Sequence, residues 1–396
     1  MISERIMNLA ASATLQMSQL AQEMKQAGID VINLSVGEPD FPTPEHICLA
    51  GKQAIDDGYT RYTSAEGLLS LRKAICEKLQ RENGLSYTPQ QIVVSNGGKH
   101  SVSNVCLSLV NPGDEVIIPA PYWVSYPQMV SLAEGKSVIV DTKLENNYCL
   151  TAEELEAVIT EKTKLLILCS PSNPTGSVYS KDQLDSLADV LRRHKQVYVI
   201  SDEIYEHIVF DGIKPCSMAQ YDDLRNRVII ANGVSKAYAM TGWRIGWIAA
   251  DERIAKACKK LQGQQTSCPS SVSQRAAEAA YSGSQDCVVR MREAFEKRRD
   301  LVVSLASELP KVRFNRPQGA FYLLLDCSAY YGTRSGDMLI SNADDLAMYL
   351  LRVAHVTLVS GAAFGSPDTL RLSYAASETE LKEAFHRIGI ALNQCS

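Results

Sequence analysis

The chain has 396 residues, of which 45% are hydrophobic and 21% charged, and carries a net charge of −5. That length exceeds one ordinary core, so two domains are expected, and it buries enough surface to need no disulfide or metal staple. No basic run stands out and no segment approaches the roughly 18 apolar residues of a membrane span, which excludes nucleic acid and membranes as main partners.

In chain order, the first forty residues offer a helix over Thr14–Gln26 and an extended stretch over Val31–Asp40. Neither has a strand partner nearby in sequence, so both are expected to cross back to a later part of the fold. Residues 90 to 250 alternate short β-rich runs with helical patterns, the signature of a mostly parallel sheet covered by helices. The strands read as Ile92–Ser95, Glu115–Pro119, Ser137–Asp141, Leu165–Ser170, Val197–Asp202, Val228–Ala231 and Arg244–Ala249. Asn111-Pro-Gly-Asp114 marks a turn, and the capping boxes Thr151-Ala-Glu-Glu154 and Ser180-Lys-Asp-Gln183 open helices. A charged helix over Arg290–Ser307 then precedes strands at Val312–Phe314, Ala320–Leu325, Val356–Val359 and Thr369–Ser373, and Ser377-Glu-Thr-Glu380 caps a final helix. The expected fold class is therefore α/β: a large domain with a mostly parallel seven-stranded sheet flanked by helices, plus a smaller α+β domain. The expected division is residues 1–45 as an arm that joins the small domain, 46–290 as the large domain and 291–396 as the small one. The eleven cysteines contain no Cys-x-x-Cys pair and read as reduced thiols of a cytoplasmic protein. The N-terminal Met1-Ile-Ser-Glu-Arg lacks the charged head and apolar run of a leader.

Ligands of open parallel sheets bind at the carboxyl ends of strands, and five polar clusters fall there. Ser95-Asn-Gly-Gly-Lys99 lies between a strand and a helix: either an ordinary glycine turn, or backbone amides exposed to an anion at a helix start. It matches neither the dinucleotide fingerprint nor the nucleotide P-loop, so the anion would be a monoester phosphate. Pro121-Tyr-Trp123 offers a ring that either stacks on a planar ligand or fills the core. Ser170-Pro-Ser-Asn-Pro-Thr-Gly176 freezes a loop and aims the Asn173 amide. Asp202, after the apolar run Val197–Ile200, is expected to be partly desolvated and to need a cationic partner. Nearby Glu203, Glu206 and His207 lack metal-ligand spacing and read as a solvated charged face. Lys236 and Arg244 sit among apolar residues, and a desolvated lysine near a second cation is nucleophilic toward carbonyls.

These motifs, together with Asn33-Leu-Ser-Val-Gly-Glu-Pro-Asp40 and Arg371-Leu-Ser-Tyr374, resemble those of fold-type-I pyridoxal-phosphate enzymes, the class I aminotransferases. The likeness runs over nearly the whole chain and is nearest to the bacterial aspartate aminotransferase branch. It implies that Lys236 forms a Schiff base with pyridoxal 5'-phosphate and shuttles a proton, while Asp202 holds the pyridine nitrogen. Tyr205 and Asn173 would bond the phenolic oxygen, and Trp123 would stack on the ring. Gly97, Gly98, Lys99, Ser235 and Arg244 would hold the phosphate, with Tyr62 reaching the phosphate of a neighbouring subunit in a homodimer with shared sites. Gly37 and Arg371 would take the substrate α-carboxylate, Arg371 by two prongs, alongside Trp123 and Asn173. The branch further implies that the Lys99 ammonium meets the distal carboxylate of aspartate, with 2-oxoglutarate as acceptor in ping-pong half-reactions. Ser12 and Thr14 match lid positions, or serve helix capping. Ala10-Ala11 replaces the basic residue that accompanies prephenate use. The alternatives are an aminotransferase for aromatic residues, alanine or prephenate, and a C–S β-lyase.

Overall fold

The structure, a computed structural model, describes residues 2–7 and 9–395. A two-residue strand, β1 (Ile32–Asn33), follows helix Ala13–Gln26. Then come β2 (Ile92–Ser95), β3 (Glu115–Ala120), β4 (Lys136–Asp141), β5 (Thr163–Cys169), β6 (Tyr198–Asp202), β7 (Val228–Gly233) and β8 (Gly246–Ala249). The last third adds β9 (Tyr322–Asp326), β10 (Arg334–Ser335), β11 (Met338–Leu339), β12 (Val356–Thr357), β13 (Val359–Ser360) and β14 (Thr369–Ser373).

The main sheet has seven strands in the order β2-β8-β7-β6-β5-β3-β4. Only β8 runs antiparallel to its neighbours; the rest pair in parallel. Strand side chains alternate between faces. Accordingly Ile117, Leu166, Val199, Ile230 and Trp247 pack into one core. Val116, Leu165, Ile200, Ile229 and Ile248, their immediate neighbours, pack into another on the opposite face. Both faces are apolar because helices cover both, which is why these strands read as continuous hydrophobic runs.

A third core gathers around the antiparallel sheet β13-β14-β9. The N-terminal segment does return to it: β1 pairs in parallel with β12, Ile32 opposite Val356. Helix Ala13–Gln26 settles there too, Ala21 packing with Val31 and Leu351. The 22-residue helix Asp286–Ser307 joins the cores. Its first turns give Cys287, Val288 and Met291 to the main-sheet core, and its later turns give Phe295, Val302 and Ala306 to the C-terminal one.

Several element limits differ from the sequence reading for local backbone reasons. Val312–Phe314 is no strand: only Arg313 bridges to Asp326, after Lys311 has turned through φ 57°. The strand expected from Arg244 begins at Gly246 because Arg244 itself is left-handed, at φ 54°. The strand expected over Ala320–Leu325 starts at Tyr322, beyond Ala320 at φ 57°. Val356–Val359 divides, one half joining β1 and the other β14. Left-handed residues interrupt extended geometry, and their type in the sequence gives little sign of it.

The charged group after Asp202 is a correction. Glu203 and Glu206 are buried, not solvated. The chain after β6 folds back into the protein, where Glu206 forms an ion pair with the wholly buried Lys78. Asn83 and Asn232 also donate to Glu206, at 3.0 and 2.6 Å. Burial pushes the Glu206 carboxyl up, but Lys78 and His207 outweigh it and hold it below the usual range. Glu203 accepts from Ser201 and Ser217, and burial with the Glu206 charge pushes it up to about 7. His207 pairs with Glu82 at 2.9 Å. A buried pair whose remaining lone pairs are satisfied resists being opened, so this network pins the segment that carries Asp202 and Tyr205.

Candidate active site

The carboxyl-terminal ends of β2, β3, β5, β6 and β7 and the start of helix Gly98–Leu109 face one cleft. The helix opens at Gly97, φ 86°, and no side chain caps it. The amides of Gly98 and Lys99 therefore have no partner among the described residues, as at any uncapped helix start. Above them lies Arg244, its guanidinium donating to the Thr241 and Asn96 carbonyls at 2.9 and 3.4 Å. A Cβ on Gly97 would lie 2.3 Å from Arg244 Nη2, and one on Gly246 would lie 2.2 Å from the Gly98 nitrogen. Glycine at both positions is what lets the loop, the strand and the guanidinium crowd together into an anion cradle. Ser235 is buried beside it.

Lys236 lies in the same cleft, partly buried, with its ammonium donating to the Gly37 carbonyl. Its nitrogen stands 5.8 Å from the centroids of both Tyr205 and Phe321. Burial lowers its pKa to about 8, with Arg371 and Arg244 helping and Glu38 and Asp202 opposing. About a tenth of this amine is thus uncharged at pH 7, far more than of an ordinary lysine, and that is the form that attacks carbonyls. Asp202, at the end of β6, accepts from the Tyr126 hydroxyl at 2.6 Å and from the Ile204 amide at 3.3 Å. Burial pushes its carboxyl up, against the pull of Tyr126 and Lys236. The cation expected against it is therefore only the distant Lys236 among the described residues. Its contact partner is a neutral phenol.

Trp123 is partly buried, edge-on to Tyr126 at 5.3 Å, with the Lys99 ammonium 5.2 Å from its ring centre. The Lys99 residue is exposed overall, yet partial desolvation of its ammonium, with the Arg244 charge beside it, lowers its pKa. The Ser170–Gly176 loop, with cis peptides at Pro171 and Pro174, is clamped by the Gln318 and Gly319 amides, which donate to the Gly176 carbonyl at 2.8 and 2.9 Å.

Arg371, on β14, is the group with the most unmet demand. It is 2% exposed, donates to Asn173 Oδ1 at 3.0 Å and to the Ser35 carbonyl at 2.6 Å, and leaves Nε without a partner. No carboxylate lies within ion-pair distance of it among the described residues. The rings of Tyr322 and Phe364 flank it at 4.6 and 4.8 Å, a partial compensation for a desolvated cation. By holding Asn173 Oδ1, Arg371 also turns the Asn173 amide nitrogen away from itself. The Tyr205 hydroxyl lies 2.8 Å from that of Tyr322.

The fold and this cleft have close counterparts. A match to the family described as aminotransferase class I and II covers residues 29–388. The chain belongs to that family. Among class I and II aminotransferases, it is 48% identical over 396 residues to a Petunia hybrida protein named as a bifunctional aspartate aminotransferase and glutamate/aspartate-prephenate aminotransferase, covering 99% of this chain and 82% of that one. It is 48% identical over 389 residues to an aspartate/prephenate aminotransferase of Cereibacter sphaeroides, covering 98% and 97%. An aspartate aminotransferase structure from Rhizobium meliloti superimposes with a TM-score of 0.97 at 44% identity over 100% of both chains. One from Thermus thermophilus, with maleate, gives 0.93 at 38% over 99% of both.

Of the residues expected in this aminotransferase site, the structure gathers Gly37, Gly97, Gly98, Lys99, Trp123, Asn173, Asp202, Tyr205, Ser235, Lys236, Arg244 and Arg371 around one cleft. Tyr62 stands apart, 89% exposed and without a hydrogen-bond partner among the described residues. Ser12 precedes its helix but makes no side-chain capping bond, so the capping use is not realised. Tyr126, Tyr322 and Ser35 were missed. Tyr322 follows Gly319-Ala-Phe in the sequence, but only the pairing of β9 with β14 brings it beside Arg371.

Proposed function

We propose that the chain exchanges an amino group between aspartate and 2-oxoglutarate, using pyridoxal 5'-phosphate, in a homodimer with shared sites. The observation that carries this reading is the buried Arg371 guanidinium with no carboxylate partner among the described residues, in a cleft that also holds Lys236, Lys99 and Arg244. Such a cleft needs anions, and a dicarboxylic amino acid with a phosphorylated cofactor supplies them.

The residues fit the cofactor. The free amides of Gly98 and Lys99, the Gly97 cradle, Ser235 and Arg244 suit a phosphate. Asp202, desolvated and acceptor-only when ionised, suits a protonated ring nitrogen. The amide nitrogen of Asn173 and the hydroxyl of Tyr205 suit a phenolic oxygen, and Trp123 a ring face. Bound there, the cofactor supplies an electron-accepting ring. Lys236 anchors it and, once released, moves the proton at the substrate α-carbon. Gly37 and Arg371 orient the α-carboxylate. The exposed Tyr62 phenol would complete the phosphate site of a second copy, and exposed Ile2, Ile6 and Leu15 on the arm are apolar groups that such a copy would cover. Residues 46–290 form the cofactor-carrying unit in this reading, with 1–45 and 291–396 as the smaller one. No helix among the described residues is long and apolar enough to cross a membrane, in keeping with a cytoplasmic enzyme.

The test is a pair of half-reactions followed by absorbance. Aspartate should convert the holoenzyme to its amine form, and 2-oxoglutarate should restore it. Release of pyruvate and ammonia from a cysteine conjugate without any acceptor would instead identify a lyase. Prephenate is a second acceptor worth including, because relatives carry it in their names and it too bears two carboxylates. Replacing Lys99 with Ala should lower kcat/KM for aspartate about 10- to 100-fold, the worth of one charged hydrogen bond, and leave alanine and phenylalanine nearly unchanged. Equal losses for all three would refute the role given to Lys99.

A further inference from the structure

Tyr205 and Tyr322 face each other through their hydroxyls, and a phenol carries one proton and two lone pairs. Which of them donates decides where the Tyr205 proton points. Three features bear on it. The Tyr322 ring lies 4.6 Å from the Arg371 guanidinium, so its oxyanion form is favoured over that of Tyr205. Burial raises both phenols and Arg371 opposes it at both, but Arg371 is the main counterweight at Tyr322 and the smallest of the influences on Tyr205, which is carried well above the ordinary value. The more acidic phenol is the better donor. The Tyr322 hydroxyl is also wedged against the chain at Gly37, where a Cβ would lie 2.8 Å from it, and Tyr205 is its hydrogen-bond partner at 2.8 Å.

We propose that Tyr322 is a positioning residue whose hydroxyl donates to Tyr205 and so turns the Tyr205 proton outward, onto the phenolic oxygen of the bound cofactor. This rests on the pyridoxal-phosphate reading above. A phenol that accepts a hydrogen bond donates a stronger one. A stronger bond on the cofactor oxygen draws charge from it and makes the bound chromophore harder to protonate. Tyr322 thereby lets a residue of the C-terminal sheet, stacked on the carboxylate-binding arginine, act on the proton balance of a cofactor held by the main sheet.

The test is the pH midpoint of the bound cofactor's visible absorbance, in the unaltered holoenzyme, Tyr205→Phe, Tyr322→Phe and the double variant. Tyr322→Phe keeps the ring on Arg371, so KM for aspartate should stay within about twofold. Its midpoint should rise in the same direction as that of Tyr205→Phe, by about threefold in proton affinity, a modest cooperative effect. The double variant should show no more than the Tyr205→Phe shift, because the relay acts through Tyr205. A Tyr322→Phe midpoint equal to the parent's while Tyr205→Phe moves, or shifts that add in the double variant, would overturn the relay and leave the function intact. A parent protein that forms no chromophore at Lys236 would instead bring down the underlying reading.

Discussion

Lys236→Ala is expected to abolish amino-group exchange, lowering kcat on the order of 10⁴-fold, the upper range for a placed proton-transfer group. In the proposed role the covalent anchor would go with the amine, while the residues proposed for the phosphate, Gly97–Lys99 and Arg244, and the carboxylate of Asp202 would remain. Cofactor binding should therefore weaken without vanishing. Borohydride should fix the cofactor to the unaltered chain at residue 236 and fix none to the variant. A variant that keeps a tenth of the parent rate would remove Lys236 from the chemistry.

Arg371→Leu is the second large effect. Truncating one partner of a buried, hydrogen-bonded charge pair costs about 2–5 kcal/mol, so kcat/KM for aspartate should fall roughly 30- to 4,000-fold. Arg371→Lys should recover little of it, since an ammonium cannot reproduce two parallel prongs or stack between Tyr322 and Phe364 in the same way. The loss should appear with the far-ultraviolet spectrum unchanged. If both variants bind aspartate as the parent does, the α-carboxylate is held elsewhere.

The sequence disclosed whatever depends on near neighbours. All three capping boxes form as read, with Thr151, Ser180 and Ser377 accepting from Glu154, Gln183 and Glu380. The strand runs of the main sheet survive because helices on both faces demand unbroken apolar stretches. Strand starts slipped where a single residue takes a left-handed turn, as at Arg244 and Ala320, and no residue type announces this. The cleft was legible where a motif is contiguous, as at Ser170–Gly176. It was opaque where partners come from far apart. Tyr126 meets Asp202 across 76 residues, Tyr205 meets Tyr322 across 117, and Lys78 meets Glu206 across 128. A glutamate destined for a buried lysine looks in sequence like any other charged residue. That is why the group after Asp202 reads in sequence as a solvated face.

The helix shared between the cores limits how the protein could be divided. A cut between Arg290 and Met291 would sever it after its first five residues, leaving Cys287 and Val288 on a frayed stub and stranding Met291 at the head of the other fragment. Neither piece would inherit a finished hydrophobic seam. The helix therefore ties the two cores together, and parting them along it would bare apolar side chains of both.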